Sequence, residues 1–451
     1  MRGVRYLLKS TIIFWHKSGT RANLTVIWNH QYNFNVNGSI RVAVDSTGCK
    51  LNQAEAEELG RQLVAAGCTL VSPDDAADIY ILNTCTVTHV ADRKSRQLLR
   101  MAKRRSPSAK MVVTGCYTER APDELASMEE VDLVVGNEQK HRLVPILEEA
   151  GFISRGISRA SGTDGFRTRA FIKIQDGCSN CCAYCIVPLV RGREKSIPAG
   201  QVIAAVRGRE EAGYQEVVLT GTEIGAYRNQ GIDLQRLLGH ILAETGVDRV
   251  RLSSLQPPEI SPEFIDLWQN RRLCRHFHLS LQSGSDSVLQ RMKRRYTTAE
   301  YRRAVALIRE TLPDAGITTD VIIGFPGETD AESEESYRLC RQMDFARIHV
   351  FSYSPRDGTE AARIPEQVKQ QVKKQRRDRM LVLARESADN FHQRFLGKTM
   401  AVLWEKQDRG VWSGLTDNYI RVYAQCDADL TNQLTDVVLK KLHGDGVWGE
   451  L

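Results

Sequence analysis

Apolar and polar positions along this chain follow two alternating periods. Short apolar runs, the signature of buried strands, are each followed by a stretch whose apolar residues recur at helical spacing. The stretch "IRVAVDSTGCKLNQAEAEELGRQLVAAGC" predicts a strand over 40–47, then a helix opened by Asn52 with Glu55 placed as in a capping box. "ADIYILNTCTV" and "KMVVTGCYTE" repeat the pattern with strands over 79–83 and 111–114, and "VDLVVGN" adds a fourth. A helix over 92–105 separates two of these strands. Strands separated by helices build a parallel sheet, so an open α/β domain is expected over residues 40–150.

A second series follows a loop rich in Gly, Ser and Arg. Its strands read "FIKIQDGC", "EVVLTGTEIG", "VRLSSLQP", "FHLSLQSG", "TDVIIGFPG" and "RIHVFSYSP", and five of them lead into a helical pattern. Six such units are too few to close an eight-stranded barrel. An open, partial (βα)6 barrel is expected over 166–362, inside a domain of 164–395 that also holds the basic helical run "EQVKQQVKKQRRDRMLVLARESADNFHQRFLG". Chemistry in such folds sits on loops at the carboxyl ends of strands. From residue 396 the pattern changes to short alternating strands with Gly and Asp turns, which predicts a small β-barrel over 396–451. Trp404, Trp412, Tyr419 and Tyr423 bring rings among basic residues there, a surface suited to RNA stacking, although rings in a small barrel ordinarily fill its core.

The opening "MRGVRYLLKSTIIFWHKSG" carries an apolar patch too short for a signal sequence, and no run approaches the ~18 apolar residues of a membrane span. Residues 1–39 are expected to form a poorly ordered extension. With 42% apolar residues the chain can bury cores in several domains, and its net charge of +7 suits either a polyanionic partner or a mildly basic surface. Eleven cysteines spread over 451 residues exclude a small disulfide scaffold. They indicate a reducing compartment, the cytoplasm, and metal or redox use.

Cysteine placement sharpens this. Cys49, Cys85 and Cys116 each fall just past the carboxyl end of a predicted strand, on the sheet edge where ligands gather. One cysteine so placed is ordinarily an inert buried residue, but three in register point to a shared ligand. Cys68, at a helix end, lacks the placement. A second group, "GCSNCCAYCIVP", holds Cys178, Cys181, Cys182 and Cys185, a set open to zinc, an iron–sulfur cluster or a disulfide. Zinc sites usually take four protein ligands as two separated pairs, and no second pair follows nearby. The frame Cys178-x3-Cys182-x2-Cys185 suits a 4Fe–4S cluster with one open iron, with hydrolytic zinc as the rival.

That frame, with Tyr184 before its last cysteine, resembles the signature of radical S-adenosylmethionine enzymes. Together with "STGCKLNQ", "NTCTV", "TGC", "HLSLQSGSD" and "IIGFPGE", it makes the chain resemble the tRNA methylthiotransferase family over residues 40–451, with a terminal barrel similar to a TRAM domain. The resemblance implies two 4Fe–4S clusters. Cys178, Cys182 and Cys185 would hold the one that binds and cleaves S-adenosylmethionine, and Cys49, Cys85 and Cys116 an auxiliary one that takes part in sulfur transfer. It implies a cofactor pocket at Tyr184, Gly221, Thr222, Glu223, Ser254, Gln282 and Gly324. The implied reaction attaches a methylthio group to an unactivated aromatic carbon, after a 5′-deoxyadenosyl radical removes its hydrogen. The implied partner is the anticodon stem-loop of a tRNA, met by a monomer with no membrane attachment. The electron donor and sulfur source stay unidentified. Arg191, Arg193 and Lys195, just after the cluster loop, are placed either to steer RNA phosphates or as solvated surface.

Within the family, "GCKLNQ", "RLSSLQP" and "HVFSYSPRDGT" are most similar to the branch that modifies C2 of N6-threonylcarbamoyladenosine beside the anticodon. The isopentenyladenosine branch is the alternative. A branch acting on a ribosomal-protein aspartate typically shows Pro-Lys after its first cysteine, where this chain has Lys50-Leu51. A reading from a different class is a non-catalytic, zinc-containing RNA-binding protein. Two departures from the family pattern stand out: Cys181 is additional, and Gln256 occupies a position where Glu is expected.

Overall fold

The computed structural model describes residues 4–8, 11–15, 39–153 and 168–451. It divides into two compact units, Met1–Gly165 with Leu189–Arg191, and Phe166–Pro188 with Gly192–Leu451.

The first unit is built on strands β1 (Val4–Leu8), β2 (Thr11–Trp15), β3 (Arg41–Ser46), β4 (Thr69–Val71), β5 (Ile79–Thr84), β6 (Lys110–Gly115) and β7 (Leu133–Val134). They form one sheet in the order β2-β1-β7-β6-β5-β3-β4. The five strands β3 to β7 pair in parallel, while β1 runs antiparallel to both β2 and β7. Every residue of central β5 is buried, as a strand covered on both faces must be. Ile79 and Ile81 pack with Leu59 and Leu63 of helix α1 (Lys50–Ala65). Tyr80 and Leu82 pack on the other face with Leu99 and Ala102 of α2 (His89–Arg105). The expected extension over 1–39 falls mostly outside the described residues; β1 and β2 are its described part.

Helix starts differ from the sequence expectation in an instructive way. Helix α1 begins at Lys50 with Cys49 as its N-cap residue, and Asn52 lies inside the first turn. The Asn52 amide donates to the carbonyls of Thr47 (2.9 Å) and Thr84 (3.0 Å), satisfying one acceptor just past β3 and one at the last residue of β5. Glu55 is buried and faces Lys140 rather than closing a capping box. Helix α2 starts three residues before the expected 92, where Thr88 Oγ1 accepts the Ala91 N–H.

The second unit continues with β8 (Arg169–Lys173), a short pair β9 (Gln175–Asp176) and β10 (Lys195–Ser196), then β11 (Glu216–Thr220). After a second short pair, β12 (Arg228–Asn229) and β13 (Ile232–Asp233), come β14 (Arg249–Leu252), β15 (Ser254–Leu255), β16 (His276–Leu279), β17 (Gly316–Ile323) and β18 (Arg347–Ser352). The parallel sets are β14-β11-β8 and β15-β16-β17-β18, and β14 and β15 are successive halves of one strand interrupted at Ser253. This is the open six-stranded order that the periodicity predicts. Phe277, Leu279, Ile317, Val321 and Ile323 pack with Leu237, Tyr301, Val305, Ile308 and Leu339 of the surrounding helices. Residues between them in sequence, such as His278 and Asp320, therefore point to the opposite face.

The C-terminal strands β19 (Thr399–Asp408), β20 (Val411–Thr416), β21 (Arg421–Gln425), β22 (Leu434–His443) and β23 (Gly446–Glu450) pair in the closed order β19-β20-β21-β23-β22. Of the four rings expected either to stack on RNA or to fill the barrel, two fill it, and Tyr423 stays partly exposed against His443. Trp404 and Trp412 belong to the barrel core, and Tyr419 stacks on His276 of β16 with centroids 4.2 Å apart. A barrel this small has too little interior to leave large rings unused. Buried arginines hold the barrel to the strands above. Arg249 donates to the carbonyls of Leu415 and Ala401, and Arg251 donates to those of Asp417 and Thr416. Arg251 also grips Glu216 bidentately, at 2.6 and 3.0 Å. Burial opposes the charge on Glu216, but Arg251, Arg169 and Arg249 outweigh it and hold the carboxyl below its usual range. None of the described helices is long and apolar enough to cross a membrane.

Candidate functional site: two three-cysteine centres

In the first unit Cys49, Cys85 and Cys116 lie at the carboxyl ends of the adjacent strands β3, β5 and β6. Two of them follow a glycine in the left-handed region, Gly48 (φ +91°) and Gly115 (φ +103°). A Cβ on Gly48 would meet Cys85 Sγ at 2.6 Å, and one on Gly115 would meet the Thr84 N–H nitrogen at 2.6 Å. Glycine is what lets these loops close on one another. The Cys85 N–H donates to Thr47 Oγ1 (2.9 Å), fixing the same juxtaposition. Burial, then the neighbouring thiols of Cys49 and Cys116, push Cys85 up to about 12. Burial also raises Cys116, against the pull of Arg191.

Arg191 is the residue whose role the sequence concealed. Its side chain is only 2% exposed. It donates to Cys116 Sγ (3.2 Å), to both oxygens of Glu55 (3.0 Å each) and to Asn52 Oδ1 (2.6 Å). Glu55 in turn pairs with buried Lys140 at 2.6 Å. Arg191 is thus neither solvated surface nor free to meet phosphate, whereas Arg193 and Lys195 are exposed. A buried guanidinium needs anions, and these lie far away in sequence.

In the second unit the four-cysteine loop follows β8 and β9. The Cys178 N–H donates to the Gly192 carbonyl (3.1 Å), the Cys185 N–H to that of Cys182 (3.0 Å), and the Ala183 N–H to that of Met292 (3.0 Å). Cys178 Sγ donates to Glu223 Oε2 (3.1 Å), and the side-chain amides of Asn180 and Gln256 donate to the same carboxylate. Arg294 donates to Cys182 Sγ (3.4 Å) and Gln256 Oε1 (2.8 Å), with its guanidinium over the Tyr296 ring. Burial, with a smaller push from Glu223, raises Cys178 to about 12. Burial and Cys182 raise Cys185 to about 11. Cys181 is exposed.

The expected pocket residues divide. Glu223 contacts the cysteine loop directly, and Tyr184 lies within reach of the charges of Arg294, Cys182 and Cys185. Gly221 closes against the Gln175 carbonyl, on the same loop as Thr222. Among the described residues, Thr222 Oγ1 and Ser253 Oγ are buried without a hydrogen-bond partner, one just past β11 and one just past β14. Ser254 pairs across β15 with His278. Gln282 (φ +64°) is locked to β17 by bonds to the Asp320 carbonyl and the Ile322 N–H. Gly324 has a packing reason for being glycine, since a Cβ would meet Lys373 Cγ at 2.5 Å. Arg294 and Asn180 carried no periodic signal, and Gln256, at the position where Glu is expected, is wedged between Arg294 and Glu223.

Both centres fit the same kind of guest. Each offers three soft thiols, on one sheet edge or on one loop, and all eleven cysteines are free. Buried thiols stay neutral until a metal displaces their protons, and a neighbouring arginine then offsets the thiolate charge. Partnerless buried hydroxyls at strand ends suit a polar ligand beside the second centre.

Comparison with known proteins gives a consistent picture. Residues 172–340 match the Radical SAM superfamily, and residues 41–136 match Uncharacterized protein family UPF0004. The chain is 36% identical over 400 residues to threonylcarbamoyladenosine tRNA methylthiotransferase MtaB of Aquifex aeolicus, covering 85% of this chain and 96% of that one. It is 34% identical to the Bacillus subtilis protein of the same name, covering 89% and 94%. The tRNA-2-methylthio-N(6)-dimethylallyladenosine synthase of Thermodesulfovibrio yellowstonii is 30% identical, covering 91% and 98%. The fold resembles the radical S-adenosylmethionine methyltransferase TsrM of Kitasatospora setae, with a TM-score of 0.52 at 15% identity over 72% of this chain and 77% of that one.

Proposed function

The chain belongs to the radical S-adenosylmethionine tRNA methylthiotransferases, and on that premise we propose that it adds a methylthio group to C2 of N6-threonylcarbamoyladenosine beside the anticodon of tRNA. The observation that carries this reading is the pair of three-thiol centres at strand ends, one in each unit. The substrate choice rests on the relatives of higher identity, which bear that nucleoside in their names. In this reading residues 40–150 form the auxiliary-cluster domain, 164–395 the radical domain and 396–451 a TRAM-like RNA-binding barrel. The protein works as a cytoplasmic monomer on its tRNA.

Cys178, Cys182 and Cys185 would hold one 4Fe–4S cluster, and Cys49, Cys85 and Cys116 would hold the second. When bound, the first cluster and S-adenosylmethionine supply a radical able to take hydrogen from an unactivated aromatic carbon, which no side chain here can do. The chain's own residues do the positioning. Glu223, held by Asn180 and Gln256, keeps the Cys178 side of the loop in place. Arg294 sets a fixed positive charge beside Cys182, as Arg191 does beside Cys116. The hydroxyls of Thr222 and Ser253 offer hydrogen bonds to the cofactor's polar groups. Tyr184, near Arg294 and Cys185, and Gln282, fixed on β17, are assigned to the wall of the cofactor pocket.

Anaerobic reconstitution tests the reading. About eight irons per chain are expected, falling by half when Cys178, Cys182 and Cys185 become alanine. Bound zinc with no cleavage of S-adenosylmethionine would instead support the non-catalytic RNA-binding protein. Mass spectrometry of tRNA nucleosides from a deletion strain should show loss of the methylthio-threonylcarbamoyl nucleoside. Loss of the methylthio-isopentenyl nucleoside in its place would overturn the substrate assignment.

A further inference from the structure

His278, Asp320 and His349 stand on three neighbouring parallel strands, β16, β17 and β18, with their ligand atoms all within 4.8 Å of one another. Registry explains why they meet: His278 lies opposite Thr318, and Asp320 lies opposite His349. Phe277, Leu279, Ile317, Val321 and Ile348 pack under the helices, so these three side chains share the sheet face turned away from them. None of the three belongs to the cysteine loop.

One pair of the three already has the spacing of two ligands on one ion. His278 Nε2 lies 3.2 Å from Asp320 Oδ2. Two ligands bound to one ion at about 2.0–2.2 Å, at angles between octahedral and tetrahedral, sit roughly 2.8–3.6 Å apart. The imidazole is already oriented from behind, because His278 Nδ1 is 3.0 Å from Thr318 Oγ1. With an ion on Nε2, Nδ1–H donates to that hydroxyl, which donates onward to His276 Nε2, also at 3.0 Å. Such a supporting bond fixes the tautomer of a metal-bound histidine. The site is partly open, with the His278 side chain 11% and the Asp320 side chain 27% exposed. Room therefore remains for water or an oxygen ligand.

We propose that His278, Asp320 and His349 form a binding site for one divalent transition-metal ion, with its remaining positions open to water or a carboxylate-bearing ligand. Two imidazoles and one carboxylate favour ions such as Mn²⁺, Fe²⁺ or Zn²⁺, and this nitrogen–oxygen set is chemically unlike the two thiol centres. The site stands independently of the nucleoside assigned above.

Manganese separates it from the thiol centres, because this hard ion does not compete for thiolates. Reconstituted holoenzyme is titrated with MnCl₂, and free Mn²⁺ is read from its six-line EPR signal. The expected result is saturable binding of about one Mn²⁺ per chain, displaced by Zn²⁺ as the divalent affinity order requires. Asp320→Asn and, separately, His349→Gln should weaken it at least about tenfold, with cluster iron and circular dichroism unchanged. Two variants on different strands guard against one that misfolds. No saturable binding, or binding that both variants leave intact, would show that His278 and Asp320 are a hydrogen-bonded pair and nothing more.

Discussion

Replacing Gly48 with alanine should remove one cluster and spare the other. A Cβ at this position would lie 2.6 Å from Cys85 Sγ, about 1 Å inside ordinary contact, on a residue held at φ +91°. The backbone strain alone costs about 1–3 kcal/mol. Neither loop is free to retreat. The Cys85 N–H is bonded to Thr47 Oγ1, and the Asn52 amide ties the carbonyls of Thr47 and Thr84 together. The Cys85 thiol must therefore shift by about 1 Å, several times the ~0.2 Å that metal–ligand distances tolerate. The expected protein is folded and modestly destabilised. It holds about four irons per chain instead of about eight. It still releases 5′-deoxyadenosine from S-adenosylmethionine but makes no methylthiolated nucleoside. Iron and sulfide assays after anaerobic reconstitution, with chromatography of both products, read all of this at once. A Gly48→Ala protein with full iron and normal product would refute the assignment of Cys85 as a cluster ligand.

Three further substitutions probe separate parts of the fold. Cys181→Ala should keep all iron and activity, since Cys181 is exposed and outside the spacing of the other three; loss of a cluster would show that the ligand set is misassigned. Glu216→Gln leaves the buried guanidiniums of Arg251, Arg249 and Arg169 without their shared counter-charge. It should cost about 3–5 kcal/mol, seen as a lower urea midpoint, and an unchanged midpoint would sink the account of how the barrel is attached. Burial raises the Glu259 carboxyl to about 7, so the folded state holds that proton more tightly than the unfolded chain does. Stability should then fall as pH rises from about 4.5 to about 7, by up to about 3 kcal/mol, and stay level beyond. Glu259→Gln should lack this loss, and parallel stability–pH curves for the two proteins would contradict it.

The parallel strands of both units were legible because their apolar runs are short, continuous and separated by helical spacing. Cys49, Cys85 and Cys116 could be aligned on one edge from strand ends alone, since a parallel sheet puts all its carboxyl ends on one side. Asn52 misled at the start of α1. A good capping residue was instead spent on joining two loops, a use that depends on a neighbour 32 positions away. The aromatic residues of the terminal barrel were left open for a related reason: alternation shows that a ring is on a strand but not whether its face is inside. Trp404 and Trp412 are inside.

Local chain geometry settled what the sequence could say by itself: the strand–helix alternation, the three-cysteine spacing of one loop, and the residues that follow each strand. Tertiary structure decided which charges meet. Arg191 reads as one more basic residue after a cysteine loop, yet its partners Cys116 and Glu55 lie 75 and 136 positions away. His278 and Asp320 are separated by 42 positions and adjoin only through strand registry. A buried charge or imidazole persists only with a partner. Spacing along the chain names that partner only when it lies within a turn or two, and beyond that range the packing of strands and helices chooses it.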